Sequence, residues 1–123
     1  MLRTRAHMIA IMSRSHSAPW EKVFAGAPHR ALPQGPTLFR RGAPVRLAFL
    51  LIEGSVALQR DLPDGELLTL HVASAGEMVA QASIFSTAYH CDAVCMDDAT
   101  VAVRHRRDVE EALSTASVAR DAL

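Results

Sequence analysis

The sequence is poor in cysteine and in aromatic residues, and neither sign of charge predominates. It contains two cysteines, one tryptophan, one tyrosine and four phenylalanines among 123 residues. Lysine and arginine together number 13, as do aspartate and glutamate, so the formal net charge is zero. Binding to nucleic-acid phosphates requires a basic excess, and its absence argues against direct binding of DNA or RNA. No run of about 18 apolar residues is present, which argues against a membrane-spanning helix.

The two cysteines, Cys91 and Cys95, lie close together in the sequence. On one extended strand their Cα atoms would lie about 13 Å apart, at roughly 3.3 Å per residue. A disulfide requires Cα atoms within about 7 Å, so an internal bridge is not expected. Free thiols indicate a reducing compartment. The apolar run at residues 8–12 is too short and too broken for a signal peptide, so we expect a cytoplasmic protein.

The chain is rich in short apolar segments that are separated by Gly and Pro turns. Half of its residues are hydrophobic, and its length suits one domain. Strands at a spacing of roughly ten residues predict an antiparallel sandwich or barrel. Helices at the two ends make the predicted fold mainly β within the α+β class. The predicted strands are residues 29–32, 37–40, 47–52, 55–60, 66–72, 89–94 and 100–103.

Strict alternation over residues 66–72 predicts one strand with two distinct faces. One face carries Leu68, Leu70 and Val72, and the other carries Leu67, Thr69 and His71. This places His71 at the surface or at the rim of a pocket.

The stretch at residues 76–94 is predicted to form a turn, a short helical turn, a loop and then a strand that returns to the core. Small residues at Ala80, Ala82 and Ser83 would let backbone N–H groups come close to a ligand. Exposed backbone amides at a helix start form a natural anion site. The pattern therefore predicts a binding pocket around this segment.

This stretch resembles the cyclic-nucleotide-binding domain of the Crp/Fnr regulators. The family pattern is roughly G-[DE]-x-x-G-E-x-x-x-F followed by R-[ST]-A, and Gly76, Glu77, Phe85 and Ala93 match it. Two further segments support the resemblance, namely residues 39–42 and the more specific 51–57, Leu-Ile-Glu-Gly-Ser-Val-Ala. The resemblance covers about residues 32–113. It implies a double-stranded β-helix, or jelly roll, with short flanking helices.

We expect three regions on this basis. Residues 1–19 would form a flexible or partly helical N-terminal arm, and residues 20–113 the β-roll. Residues 114–123 would begin a C-terminal helix. Apolar residues at helical spacing, Trp20, Val23 and Phe24, predict one or two helical turns packed against the β-roll.

The resemblance also implies where a cyclic nucleotide would be bound, and there the sequence departs from the family. Gln81 stands in place of the ribose-binding Glu, and Cys91 in place of the phosphate-binding Arg. Asp92 would place a carboxylate where the family has a hydroxyl, so a phosphate there would be repelled. We therefore predict a degenerate pocket that binds cAMP or cGMP weakly. The candidate pocket residues are Leu70, Glu77, Ala80, Gln81, Ala82, Ser83, His90, Cys91, Asp92 and Ala93.

Other signals stay open as alternatives. Some members of the superfamily carry haem in the β-roll, and Cys91 beside His90 could sense redox state. A zinc site is not expected, because Cys91 and Cys95 are too far apart on a strand for one ion. No G-x-S-x-G, Walker A or H-E-x-x-H motif occurs, nor the H-x-H motif of metal-binding cupins, so we do not expect an enzyme.

The expected partners follow from the resemblance. Crp/Fnr regulators bind DNA through a helix-turn-helix domain that follows the β-roll. Only about a dozen residues follow Glu110, too few for such a domain, so we expect no specific DNA binding by this chain alone. A homodimer through the C-terminal helix is possible. The alternative function is a ligand-free module for dimerisation or interaction.

Overall fold

The computed structural model describes residues 20–121, so the predicted N-terminal arm lies outside the described residues. Two antiparallel sheets enclose one core, and a helix follows the last strand. The strands are β1 (His29–Leu32), β2 (Thr37–Phe39), β3 (Leu47–Glu53), β4 (Val56–Asp61), β5 (Leu67–Ala73), β6 (Asp92–Cys95) and β7 (Ala99–His105). A 3₁₀ turn spans Gln81–Ser83, and helix α1 spans Arg106–Asp121.

The sheet orders are β1-β7-β3 and β2-β6-β4-β5, with every neighbouring pair antiparallel. This arrangement confirms the predicted mainly β jelly roll. The period-2 pattern is clearest in β6, where Ala93 and Cys95 are buried while Asp92 and Val94 are half-buried. Antiparallel partners share a face, so Leu58 opposite Ala93 and Val56 opposite Cys95 also face the core. We call this the inner face of the four-stranded sheet.

Helix α1 continues directly from β7 and packs against β7 and β3. Val109, in its first turns, is fully buried in the core. Arg106 forms an ion pair with Glu110 one turn later, and Asp108 lies where the helix dipole favours an acidic residue. The sequence analysis ends the β-roll at residue 113, whereas the helix already begins at Arg106. It begins there because no turn separates it from β7.

A helical turn at residues 20–23 lies against the three-stranded sheet. Trp20, Val23 and Phe24 are buried, as their helical spacing predicts. Arg104, from β7, donates a hydrogen bond from Nη1 to the carbonyl oxygen of Val23 at 2.6 Å. This contact joins the turn to the strand that leads into α1.

The predicted alternation of β5 is wrong, because a β-bulge interrupts the strand. His71 pairs with Leu58 and Thr69 pairs with Gln59, which leaves Leu70 without a partner residue on β4. The extra residue shifts the faces by one position, as bulges do. Leu68, opposite Arg60, thus shares the inner face with His71, while Thr69 and Val72 lie on the outer face.

Strand β5 is also an edge strand, and much of its apolar surface is exposed. The exposed fractions of its large apolar side chains are 56% for Leu67, 43% for Leu68, 48% for Leu70 and 47% for Val72.

Candidate functional site

The loop that follows β5 begins by pairing with β3 of the other sheet. The N–H of Gly76 donates to the carbonyl of Leu51 at 2.8 Å, and the N–H of Leu51 donates to the carbonyl of Glu77 at 2.9 Å. Val79 then donates to the carbonyl of Phe49 at 2.8 Å. These bonds attach residues 76–79 to β3 and place the start of the candidate pocket next to the core.

Ala80 adopts a left-handed conformation, with φ 56° and ψ 48°. Such a conformation costs a non-glycine residue roughly 1–2 kcal/mol. Ala80 stands where the family pattern has its second Gly, which adopts this region without strain. The backbone turn of the pattern is therefore present although its glycine is not.

Glu77 holds the two ends of this turn together and is occupied by internal partners. Its Oε1 lies 2.6 Å from Nε2 of His71, and its Oε2 accepts from the N–H and hydroxyl of Ser74 at 2.5 and 2.9 Å. Burial acts to raise the pKa of Glu77, but the hydrogen bonds from His71 and Ser74 outweigh it and hold that pKa below its usual value. Glu77, matched as part of the family pattern, thus positions the loop.

The structure brings the 3₁₀ turn and the start of β6 together. The N–H of His90 donates to Oγ of the buried Ser83 at 3.3 Å. Gln81, Ala82 and His90 are exposed at this junction, and Ala80 is half-buried. Cys91 and Ala93 are buried there, 4% and 0% exposed. Leu70, another predicted pocket residue, is the unpaired residue of the β5 bulge and so is not aligned with the inner-face positions.

Asp92 does not face the same side as Cys91. Its Oδ1 accepts a hydrogen bond from the N–H of Arg41 at 2.7 Å, and its partner residue on β4 is Gln59. Both lie on the outer face, since Ala93 and Cys95 take the inner face of β6. Strand alternation thus turns the Asp92 carboxylate away from the side of Cys91. Its charge nevertheless adds to burial in raising the pKa of the Cys91 thiol, so the repulsion of a phosphate there stays a prediction.

Arg60 is the charged residue of this region that the sequence analysis missed. Its Nε donates to the carbonyl oxygen of His90 at 3.2 Å. The signal was present in β4, where Val56, Leu58 and Arg60 alternate on the inner face and the last of them is charged. That Arg60 lies beside His90 follows only from the register between β4 and β6, which the sequence does not reveal.

The thiols of Cys91 and Cys95 are not activated. Burial raises the pKa of Cys91, the adjacent Asp92 raises it further, and Arg60 acts to lower it. Burial and Asp97 likewise raise the pKa of Cys95. Both cysteines are free, and both thiols stay protonated near neutral pH.

Two open clefts, of about 330 and 910 Å³, flank the start of α1 and share Leu47, His105 and Asp108. Neither is lined by a predicted pocket residue. In the part of the chain that the structure describes, no three His, Cys, Asp or Glu side chains group as potential metal ligands. Among the described helices, none has the length and apolar character needed to cross a membrane.

Solved structures with this fold include several transcriptional regulators. The N-terminal domain of a transcriptional regulator from Streptomyces coelicolor A3(2) is 24% identical, with a TM-score of 0.67 over 84% of this chain and 80% of that one. The sensor domain of the transcriptional regulator DNR from Pseudomonas aeruginosa is 20% identical, with a TM-score of 0.69 over 90% and 89%.

The c-di-GMP-responsive global regulator CLP of Xanthomonas campestris is 23% identical, with a TM-score of 0.69 over 86% of this chain. The present chain covers 52% of that protein. Identities this low show a shared fold.

No curated protein matches the sequence. The profile of the cyclic nucleotide-binding domain family, however, matches residues 29–116, well over half of the chain. The resemblance noted from Gly76 and Glu77 is thereby confirmed. This chain belongs to the cyclic nucleotide-binding domain family.

Proposed function

We propose that this chain is the regulatory sensor domain of a Crp/Fnr-type regulator, with a degenerate cyclic-nucleotide pocket. The observation that carries the proposal is the contrast at residues 80–91. The left-handed turn at Ala80 keeps the backbone shape of the pattern, while Gln81 and Cys91 replace the two charged residues that grip the ligand in the family. A domain of this kind binds and signals, and it is not an enzyme.

Signalling would pass through the helix α1. The loop at residues 76–79 is hydrogen-bonded to β3, and α1 packs against β3 and β7. A ligand that binds one arrangement of this loop more tightly would shift the population of that arrangement, and with it the packing of α1. A dimer partner or an attached DNA-binding domain would then respond. We place this action in the cytoplasm.

Restoring the two family residues tests the proposal. The double variant Gln81→Glu, Cys91→Arg should bind cAMP or cGMP at least 10-fold more tightly than the wild type, because each charge-assisted hydrogen bond contributes about 1.5–3 kcal/mol. Isothermal titration calorimetry gives the two dissociation constants. A thermal-shift series supplies a second readout, since a ligand bound only to the folded state raises its melting temperature.

The matched control is the double variant Gln81→Asn, Cys91→Ser, which stays neutral and should bind no better than the wild type. Tight cyclic-nucleotide binding by the wild type, or no gain in the Glu/Arg variant, would contradict a degenerate pocket.

Redox sensing at Cys91 is disfavoured by its burial and raised pKa. Among the contacts of the described residues, none favours haem over a cyclic nucleotide as the ligand.

The second candidate function is a module for dimerisation, and the surface of β5 favours it. Four large apolar side chains of this edge strand are 43–56% exposed. An edge strand also leaves backbone N–H and C=O groups unpaired, so exposed apolar side chains along it favour pairing with a second chain.

If β5 takes part in a dimer, replacing Leu70 and Val72 by Ser and Thr should convert the dimer to a monomer with little change in stability, since both are about half exposed. Light scattering coupled to size exclusion measures the mass, and Arg30→Gln on β1 is the control. A wild-type chain that stays monomeric at high concentration would rule this role out.

A further inference from the structure

The family guanidinium is missing from β6, but the structure places another one beside the same position. On the inner face, Leu58 lies opposite Ala93 and Val56 opposite Cys95. Continuing this register by one step, beyond Gln59 and Asp92, brings Arg60 level with Cys91. The hydrogen bond from Nε of Arg60 to the carbonyl of His90 at 3.2 Å shows that the side chain does reach this end of β6.

The guanidinium of Arg60 keeps donors available. Only its Nε makes a hydrogen bond to the residues that the structure describes, and neither Nη group has a partner among them. The group is half-buried, and it forms no ion pair with a described acidic residue. The hydrogen bond to His90 fixes the plane of the Arg60 guanidinium. The two Nη groups remain free to donate to two oxygens of an anion.

The acidic residues near this point do not compete for Arg60. Glu77 is engaged by His71 and Ser74, and Asp92 lies on the outer face with Arg41. Gln81 is neutral, so the family's carboxylate is absent from the loop. Burial raises the pKa of Cys91, Asp92 raises it further and Arg60 lowers it, so the two charges oppose each other at this position. The N–H donors that Arg60 leaves free, rather than a net positive charge, therefore favour an anionic ligand over a neutral one.

We propose that Arg60, from β4, replaces the lost guanidinium of β6, and that the pocket binds a phosphate ester through its charge. The inference rests on the proposed function, since it assigns a ligand class to the same pocket. Without a carboxylate at residue 81, a phosphate monoester with two negative charges should be accepted at least as well as a cyclic diester with one. The charge of the phosphate should thus contribute more to affinity than the ring that joins the phosphate to the ribose in a cyclic nucleotide.

Calorimetry with three probes tests this: 5′-AMP, cAMP and adenosine, each at two salt concentrations. The wild type should bind both phosphates, with 5′-AMP at least equal to cAMP, and should show no binding of adenosine. Higher salt should weaken both phosphates. Arg60→Gln should lose at least 10-fold in affinity for both, whereas Arg30→Gln, an exposed arginine on β1 of the other sheet, should match the wild type.

Two further variants separate binding from folding. Arg60→Lys keeps the charge but not the fork and should fall between the wild type and Arg60→Gln. The double variant Arg60→Gln, Cys91→Arg moves the guanidinium from β4 to the residue just before β6 and should recover most of the lost affinity. Melting temperatures measured without ligand identify any variant whose loss of binding reflects unfolding.

Equal phosphate affinity in the wild type and Arg60→Gln, or equal binding of adenosine and 5′-AMP, would overturn the role of Arg60. So would a wild type that binds neither phosphate, even if the Gln81→Glu, Cys91→Arg variant gains cAMP binding. That last outcome would leave the degenerate sensor domain standing, whereas failure of the Glu/Arg variant counts against the sensor proposal itself.

Discussion

Replacing Leu51 with Ala should lower the free energy of unfolding by about 2–5 kcal/mol, the usual cost of emptying a fully buried leucine site. Leu51 is 0% exposed and lies in the middle of β3. Its backbone is the one that binds Gly76 and Glu77, so the cavity would open directly behind the start of the pocket loop. Urea denaturation followed by circular dichroism measures the change.

The neighbouring residue on the same strand provides the control. Ile52 is 39% exposed, and Ile52→Ala should cost well under half as much as Leu51→Ala, since less apolar surface is lost from the interior. Equal losses from the two variants would contradict the burial of Leu51 and the exposure of Ile52 in the structure.

Glu77→Gln should destabilise the domain by about 1–3 kcal/mol at neutral pH, because an amide cannot accept from all three donors that the carboxylate satisfies. One of these donors would then face the NH₂ group of the glutamine. The free energy of unfolding at pH 7 measures the loss. Glu53→Gln, an exposed carboxylate on β3, is the matched control and should be near neutral.

The same variant should also change the acid limb of the stability profile. The pKa of Glu77 in the folded state lies below its ordinary value of 4.5, so the carboxylate contributes stability that is fully present above pH 4.5. That contribution is lost as the pH falls through the folded-state pKa. The wild-type and Glu77→Gln curves should therefore converge below pH 4.5. If the two free energies of unfolding differ by a constant amount down to pH 3, the hydrogen bonds from His71 and Ser74 do not stabilise the Glu77 carboxylate as proposed.

Much of the fold could be predicted from local patterns. Apolar segments bounded by Gly and Pro predict every observed strand with its ends at most three residues away, because period-2 burial and turn chemistry depend on neighbouring residues. The turn predicted at Gly76-Glu77 is also present, where the chain leaves β5 and bonds to β3. The prediction of two terminal helical segments also agrees with the structure at residues 20–23 and Arg106–Asp121.

The errors arose where a residue's role depends on its partner across the sheet. The faces of β5 reverse at Leu70 because β4 and β5 are out of step there by one residue, and no pattern within β5 reveals the bulge. Asp92 is predicted to face a bound phosphate because it stands where the family has a hydroxyl, yet its carboxylate accepts a hydrogen bond from the N–H of Arg41 on the outer face.

By itself, the sequence determined the class of fold, the positions of the strands along the chain and the turns of the segment at residues 76–83, since each depends on the spacing of nearby residues. The tertiary structure alone decided that His71 and Ser74 occupy Glu77, and that Arg60 reaches the end of β6 where Cys91 begins the inner face. Those contacts depend on strand register, which is set by the packing of the whole core and by no single segment of the chain.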